Sequence, residues 1–200
     1  MANRTGWQPT IQVISGISAV LHPGFLSEPR LAGVLPGSLI EWYRSPEGQW
    51  FHDELLNESE DARSFDVQLA LAADRVKHAT GYLAAHRANL LFGTDTPSAP
   101  TYANPPGLNA WLEIQRLSDA GVTRRQIFRA ATLSNAQALH LDREVGTVEV
   151  RKRANLVLMR QDPTKTIQAY SDIASVILGG RVLYPEQLLA NHAGPGVDGR

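Results

Sequence analysis

Few residues in this 200-residue chain have the type and placement to do chemistry. The stretch Leu90-Leu91-Phe92-Gly93-Thr94-Asp95-Thr96-Pro97 sets an apolar run against a carboxylate, then turns polar and proline-rich. An aspartate that ends a buried parallel strand stands where α/β folds concentrate their chemistry. It can ligate a metal there, or take a proton from an acidified water. Gly93 before it permits close approach of a neighbour. The competing reading is an Asx-turn or N-cap aspartate that opens the loop, and spacing alone favours it.

One carboxylate is not a catalytic centre, because a catalytic zinc takes three protein ligands, usually with histidine among them. The six histidines, His22, His52, His78, His86, His140 and His192, form no H-x-H and no H-x-x-x-H. His22 alone follows a plausible strand; His78, His86 and His140 read as surface, dipole or capping residues at helix ends. Nothing in the spacing joins His22, Glu41 and Asp95 into a site. A nucleophile elbow and a Walker loop are both missing from the sequence. With no cysteine, disulfides, thiolate metal sites and a cysteine nucleophile are excluded. A net charge of -1 gives no reason to expect nucleic acid or an anionic membrane as partner. Arg151-Lys152-Arg153 beside Glu149 reads as a solvated turn.

The elements that must position Asp95 follow from periodicity. Thr10–Leu21 is rich in β-branched residues and reads as a strand, with Pro9 before it and Gly16 a possible end. The Gly- and Pro-dense stretch 22–50 reads as a long irregular excursion, pinned by Trp42, Tyr43, Trp50 and Phe51. Residues 59–89 carry Phe65, Leu69, Ala72, Val76 and Ala79 or Leu83 at helical spacing, with Ser59 or Ser64 as the cap. The strand of Leu90 comes next. Beyond the loop, a helix presents Leu108, Trp111, Leu112, Gln115 and Leu117 and stops at Gly121. A second helix starts at a Thr123/Gln126 capping box. GTVEV, ANLVLMRQ and IASVILGGRVLY read as short strands, and residues 191–200 as a frayed tail. Strand, helix, strand in this order predicts an α/β fold with a parallel sheet or barrel, followed by a small β element.

In order, Gly93-Thr94-Asp95, Ala120-Gly121-Val122-Thr123, the block from Ala130 to Ala136, Gly146-Thr147-Val148-Glu149, the block from Lys152 to Leu158, and Gly179-Gly180-Arg181 resemble the C-terminal part of the metal-dependent amidohydrolase superfamily. The imidazolonepropionase- and prolidase-like members are the nearest in pattern. WQPTIQVIS resembles, more weakly, the family's seventh barrel strand. The resemblance implies the last two strands and helices of a TIM-like (β/α)8 barrel over residues 1–140. It implies part of a composite small β-sandwich over 141–190, and a flexible tail over 191–200.

For the site, the resemblance implies that Asp95 is the strand-eight aspartate, both a metal ligand and the carrier of the attacking water's proton. Thr94 and Thr96 would be polar supports around it, or simple turn hydroxyls. The loop 97–106 would line the substrate mouth. The cofactor expected in the complete enzyme is a divalent metal, with zinc the expected ion. The parent reaction would be hydrolysis of a C–N bond in an amide, cyclic amide or dipeptide of small size. The family's pattern has Gly where Arg151 stands, so a slightly strained surface turn is expected there. Its H-x-H and strand-end histidines have no counterpart in this sequence. A full barrel takes about 250 residues. The chain alone is therefore expected to be inactive, and to pair with the missing N-terminal barrel portion or with a second copy. The alternative is a non-catalytic remnant or interaction module. The first residues carry no signal-peptide pattern, so a cytoplasmic location is the default expectation.

Overall fold

The computed structural model describes residues 5–57, 62–97 and 103–189. It is a mixed helix and strand structure with two small sheets. The first sheet is a parallel pair, β1 (Gly6–Trp7) and β2 (Asn89–Leu90), with Gly6 opposite Asn89 and Trp7 opposite Leu90. The Leu91 amide extends the pairing by donating to the Trp7 carbonyl at 2.9 Å. The crossover between the two strands contains α1 (Ile11–Val20), the short α2 (Leu31–Val34), α3 (Gly37–Arg44), α4 (Trp50–Asn57) and the 24-residue α5 (Ala62–Ala85).

Two expectations are corrected here. Residues 11–20 form a helix, and the strand lies just before them at Gly6–Trp7. The β-branched composition is overridden by packing: Gln12, Gly16 and Val20, four residues apart, make one buried helical face. Gly16 is needed on that face, since a Cβ there would meet the Asn104 side chain at 2.2 Å. The excursion is also more regular than its Gly and Pro content suggests, because α2, α3 and α4 lie within it. Of its aromatic residues Tyr43 packs into two apolar clusters, whereas Trp42 and Trp50 stay exposed; the Phe51 side chain and Ser59 lie outside the described residues.

The main apolar cluster joins Ile11 of α1, Ala84 of α5 and Leu90 of β2 to Ile114, Leu117, Val122 and Ile127. The last four come from α6 (Leu108–Asp119), α7 (Arg124–Arg129) and the turn between them. That turn is the expected one: Gly121 sits at φ 83, and Thr123 and Gln126 form the reciprocal capping box. The Gln126 side chain also donates to the Ala84 carbonyl at 2.8 Å, closing the C-terminal end of α5. Trp7 donates its indole N–H to Thr80 at 3.0 Å and so fixes β1 to α5.

After α7 the helix widens into one π-turn, Ala130–Ser134, and ends as α8 (Asn135–Ala138). The second sheet is antiparallel, in the order β3 (Leu156–Met159), β4 (Ile173–Leu178), β5 (Arg181–Leu183). The segment GTVEV before it is irregular, not a strand; Val148 and Val150 are exposed there. Arg151 adopts φ 74 on the surface, the strained turn expected from the missing glycine. Residues 191–200 lie outside the described residues.

Candidate functional site at the ends of the parallel strands

Parallel strands place their C-terminal ends at one edge, so Gln8 after β1 and Leu91–Asp95 after β2 share a rim. Their proximity is direct: a Cβ added at Gly93 would come within 2.3 Å of Gln8 Nε2. The glycine thus serves contact with a side chain. Asp95 is exposed and has φ 53, a left-handed conformation that residues other than Gly rarely hold. The peptide between Thr96 and Pro97 is cis.

Three buried or half-buried polar side chains hold this rim. Asn135, at the start of α8, brackets Phe92: its Nδ2 donates to the Phe92 carbonyl at 2.7 Å, and its Oδ1 accepts from the Phe92 amide at 3.0 Å. An amide side chain thereby takes the place of a neighbouring strand three residues before Asp95. Asn109, in the first turn of α6, is fully buried and donates to the Thr94 carbonyl at 3.2 Å and to the Thr96 hydroxyl. Glu113, one turn further along α6, is also fully buried. Its carboxylate accepts from the amides of Ile11 (3.1 Å) and Gln12 (2.6 Å), the first residues of α1. Thr10, at the N-cap position, offers no side-chain bond, so Glu113 caps α1 from another helix. Burial pushes the Glu113 pKa up, against the two amide bonds and the nearby Arg116, which favour the charged form.

Sequence reasoning singled out Asp95 and its two threonines and missed the residues that bond to this segment. Leu108 and Leu117 of the expected α6 face are buried, but Asn109 and Glu113 are buried beside them. Both lie one turn apart in a helix start that otherwise reads as amphipathic. A Glu amid Leu108, Trp111, Leu112 and Ile114 was the available signal. The Thr96 hydroxyl is engaged by Asn109 and by the Thr94 carbonyl at 3.5 Å. Of the expected mouth loop, Ala103, Asn104 and Pro105 are buried, while residues 98–102 lie outside the described ones.

The described histidines do not gather at this rim. His22 faces Asp66 of α5, 3.3 Å from Nε2 to Oδ2. His78 and His86 are exposed and bond backwards to carbonyls within or at the end of α5, and His140 is exposed at φ 58 beyond α8, as a helix-ending residue. Among the described residues no three of His, Cys, Asp or Glu group as a metal site. As a hard, exposed oxygen donor Asp95 fits one position on a divalent cation, and the described residues provide that one. A cavity of about 660 Å³ lies elsewhere, between α6, the π-turn and β3, lined by Phe92, Trp111, Phe128, Leu156 and Tyr170. Tyr170 is half-buried, and burial of its hydroxyl pushes the pKa up to about 12. No membrane-crossing helix, long and apolar enough, occurs among the described residues.

An α/β segment with an exposed carboxylate beyond a parallel pair fits several classes of protein. Comparison with known proteins narrows them: the amidohydrolase family profile matches residues 50–183, more than half the chain. The chain belongs to the amidohydrolase family, whose members are generally hydrolases acting on C–N bonds and generally bind a divalent metal. It is 31% identical over 80 residues to the guanine deaminase of Rattus norvegicus, covering 37% of this chain and 18% of that protein. In structure it resembles a Xaa-Pro dipeptidase solved with methionine bound in its active site. That match has TM-score 0.52 and 19% identity, over 68% of this chain and 32% of the dipeptidase. The chain thus spans under a third of the length of either relative.

Proposed function

We propose that this chain supplies the closing part of a metal-dependent hydrolase of amide or other C–N bonds in a small molecule, with Asp95 as ligand and proton carrier. In this reading β1 and β2 correspond to the last two strands of a (β/α)8 barrel, and β3–β5 to part of a small sandwich. The observation that carries it is the position of Asp95. It is an exposed carboxylate in a left-handed conformation, in the segment that follows parallel strand β2, five residues past Leu90, in a chain of this family.

A divalent cation, zinc in the first instance, would acidify the attacking water. Asp95 would hold the cation through one oxygen, accept the water's proton at its carboxylate, and pass it to the leaving nitrogen. Asn109 and Asn135 hold the turn in place, and Gln8 lies beside Gly93 on the same rim. The remaining ligands come from outside the described residues. The rest of a barrel, in the same polypeptide or a second one, is the partner this requires.

Asp95→Asn keeps the shape and removes the charge. In the assembled enzyme it is expected to abolish hydrolysis while leaving thermal unfolding within a degree or two. Near-normal turnover in that variant would sink the assignment of Asp95.

A second reading, a non-catalytic interaction module, is favoured by the exposed apolar residues Val148, Val150, Val157, Leu158 and Val182 around the small sheet. Sedimentation with added zinc separates the two: a monodisperse monomer that binds no zinc supports the module, and assembly that binds zinc supports the enzyme.

A further inference from the structure

We propose that Asn109 is a positioning residue for Asp95, acting through Thr94 and Thr96 on either side of it. The inference rests on the reading of Asp95 as a ligand and deepens it. A fully buried asparagine is costly unless its amide is engaged, and an apolar residue would fill the first turn of α6 more cheaply. Its Nδ2 is engaged twice, at the Thr94 carbonyl and the Thr96 hydroxyl. These are the two residues that bound the left-handed Asp95. A non-glycine residue persists in that conformation where its surroundings fix both flanks.

The anchor is itself fixed. The Asn109 amide donates to the Pro105 carbonyl at 3.1 Å, and Glu113, one turn on, is bound to the start of α1. A single face of α6 therefore sets the end of β2 and the beginning of α1 against each other. The Oδ1 of Asn109 is buried and has no hydrogen-bond partner among the described residues. The Nδ2 bonds therefore carry the side chain's hydrogen bonding and must offset an unpaired buried oxygen.

The test uses the 200-residue chain, isotope-labelled, with Asn109→Ala, Thr96→Val and Thr96→Ser. A strong intraresidue HN–Hα cross-peak reports the positive φ of Asp95. It is expected in the wild type and in Thr96→Ser, which keeps the hydroxyl, and lost in Asn109→Ala and Thr96→Val. Amide exchange at Ile114 and Leu117 should stay within about threefold of wild type, a readout that a general loss of stability would move. Retention of the Asp95 cross-peak in both Asn109→Ala and Thr96→Val overturns the proposal. If Asn109→Ala fails to fold, the Thr96→Val and Thr96→Ser pair decides alone.

Manganese alone, titrated as a paramagnetic probe, then separates this inference from the reading beneath it. Line broadening at Asp95 should need about tenfold more manganese in Thr96→Val, as expected from loss of one positioning bond. It should vanish in Asp95→Asn. Equal broadening in wild type and Asp95→Asn removes Asp95 as a ligand, while the cross-peak still decides whether Asn109 positions it.

Discussion

Around the ends of β1 and β2, loop backbone groups are satisfied by side chains from α6 and α8: Asn109 and Glu113 from one, Asn135 from the other. In the β3–β5 sheet they are satisfied by neighbouring strands, and apolar side chains such as Val157, Leu158 and Val182 stay half exposed. The difference teaches where shape is specified. At the strand ends a few buried polar contacts fix the geometry, so each should be expensive to remove. In the small sheet the ladder is distributed and the surface tolerant, so single changes should matter through backbone conformation at turns.

The sharpest way to break that contrast is Glu113→Ala. It strips the acceptor from the first two amides of α1 and leaves them buried without a partner. A loss of about 3 kcal/mol in unfolding free energy is expected, read from urea denaturation. Val157→Ala in the small sheet should cost under about 1 kcal/mol. Equal costs would erase the distinction between the regions.

Asn135→Ala comes next. Both backbone groups of Phe92 lose their partner, but the site is only partly buried and water can replace some of the bonding. About 2 kcal/mol is expected, with the Phe92 amide exchanging faster than other amides of the β2 end. Unchanged exchange at Phe92 would mean that the clamp does not hold the strand end.

The chain's own residues announce these regions unequally. The Thr123/Gln126 capping box, the Gly121 stop and the α5 periodicity were readable because each depends on residues within a few positions, whereas the strained turn at Arg151 was expected only from the family resemblance. Asp95 stood out because a carboxylate closes an apolar run. The helix at 11–20 was misread because its N-terminal cap is Glu113, about a hundred positions away, and its face is defined by what packs on it. Asn109 and Asn135 carry no local pattern that separates a clamp from an ordinary helix polar residue, and Glu113 stands out only as a carboxylate amid apolar neighbours, which does not name its partner. Their partners become visible only when the strands are brought side by side. GTVEV failed in the opposite direction: its valines alternate as in a strand, yet no neighbouring strand pairs with it among the described residues.

A pH series refines the Glu113 result. Burial raises its folded pKa above the usual 4.5, so the folded chain holds the proton more tightly than the unfolded one. The stability this contributes is complete below about 4.5 and is lost as pH rises through the raised value. Glu113→Gln has no such proton. The wild-type advantage over it should therefore shrink as pH rises, by up to about 1.4 kcal/mol per pH unit between the unfolded and folded values, then level off. An advantage that grows with pH would mean that the amide bonds outweigh burial and that the folded carboxyl is the stronger acid.

The smallest effect lies in the small-sheet region, at two turn positions with opposite demands. Gly146 has φ 95, and a Cβ there would come within 2.6 Å of the Ala136 Cβ, so both conformation and space require the glycine. Arg151 has φ 74 on the surface and makes none of the ion pairs found among the described residues, unlike its neighbours Lys152 and Arg153. Arg151→Gly removes the left-handed penalty but frees the unfolded chain, so the net gain should be under about 1 kcal/mol. Gly146→Ala, by contrast, should lose more than that, since two backbone-fixed atoms must part to admit it. Melting temperatures of the two variants should move in opposite directions. A drop in Arg151→Gly would show that the arginine side chain, and not the conformation of the turn, is what this position selects.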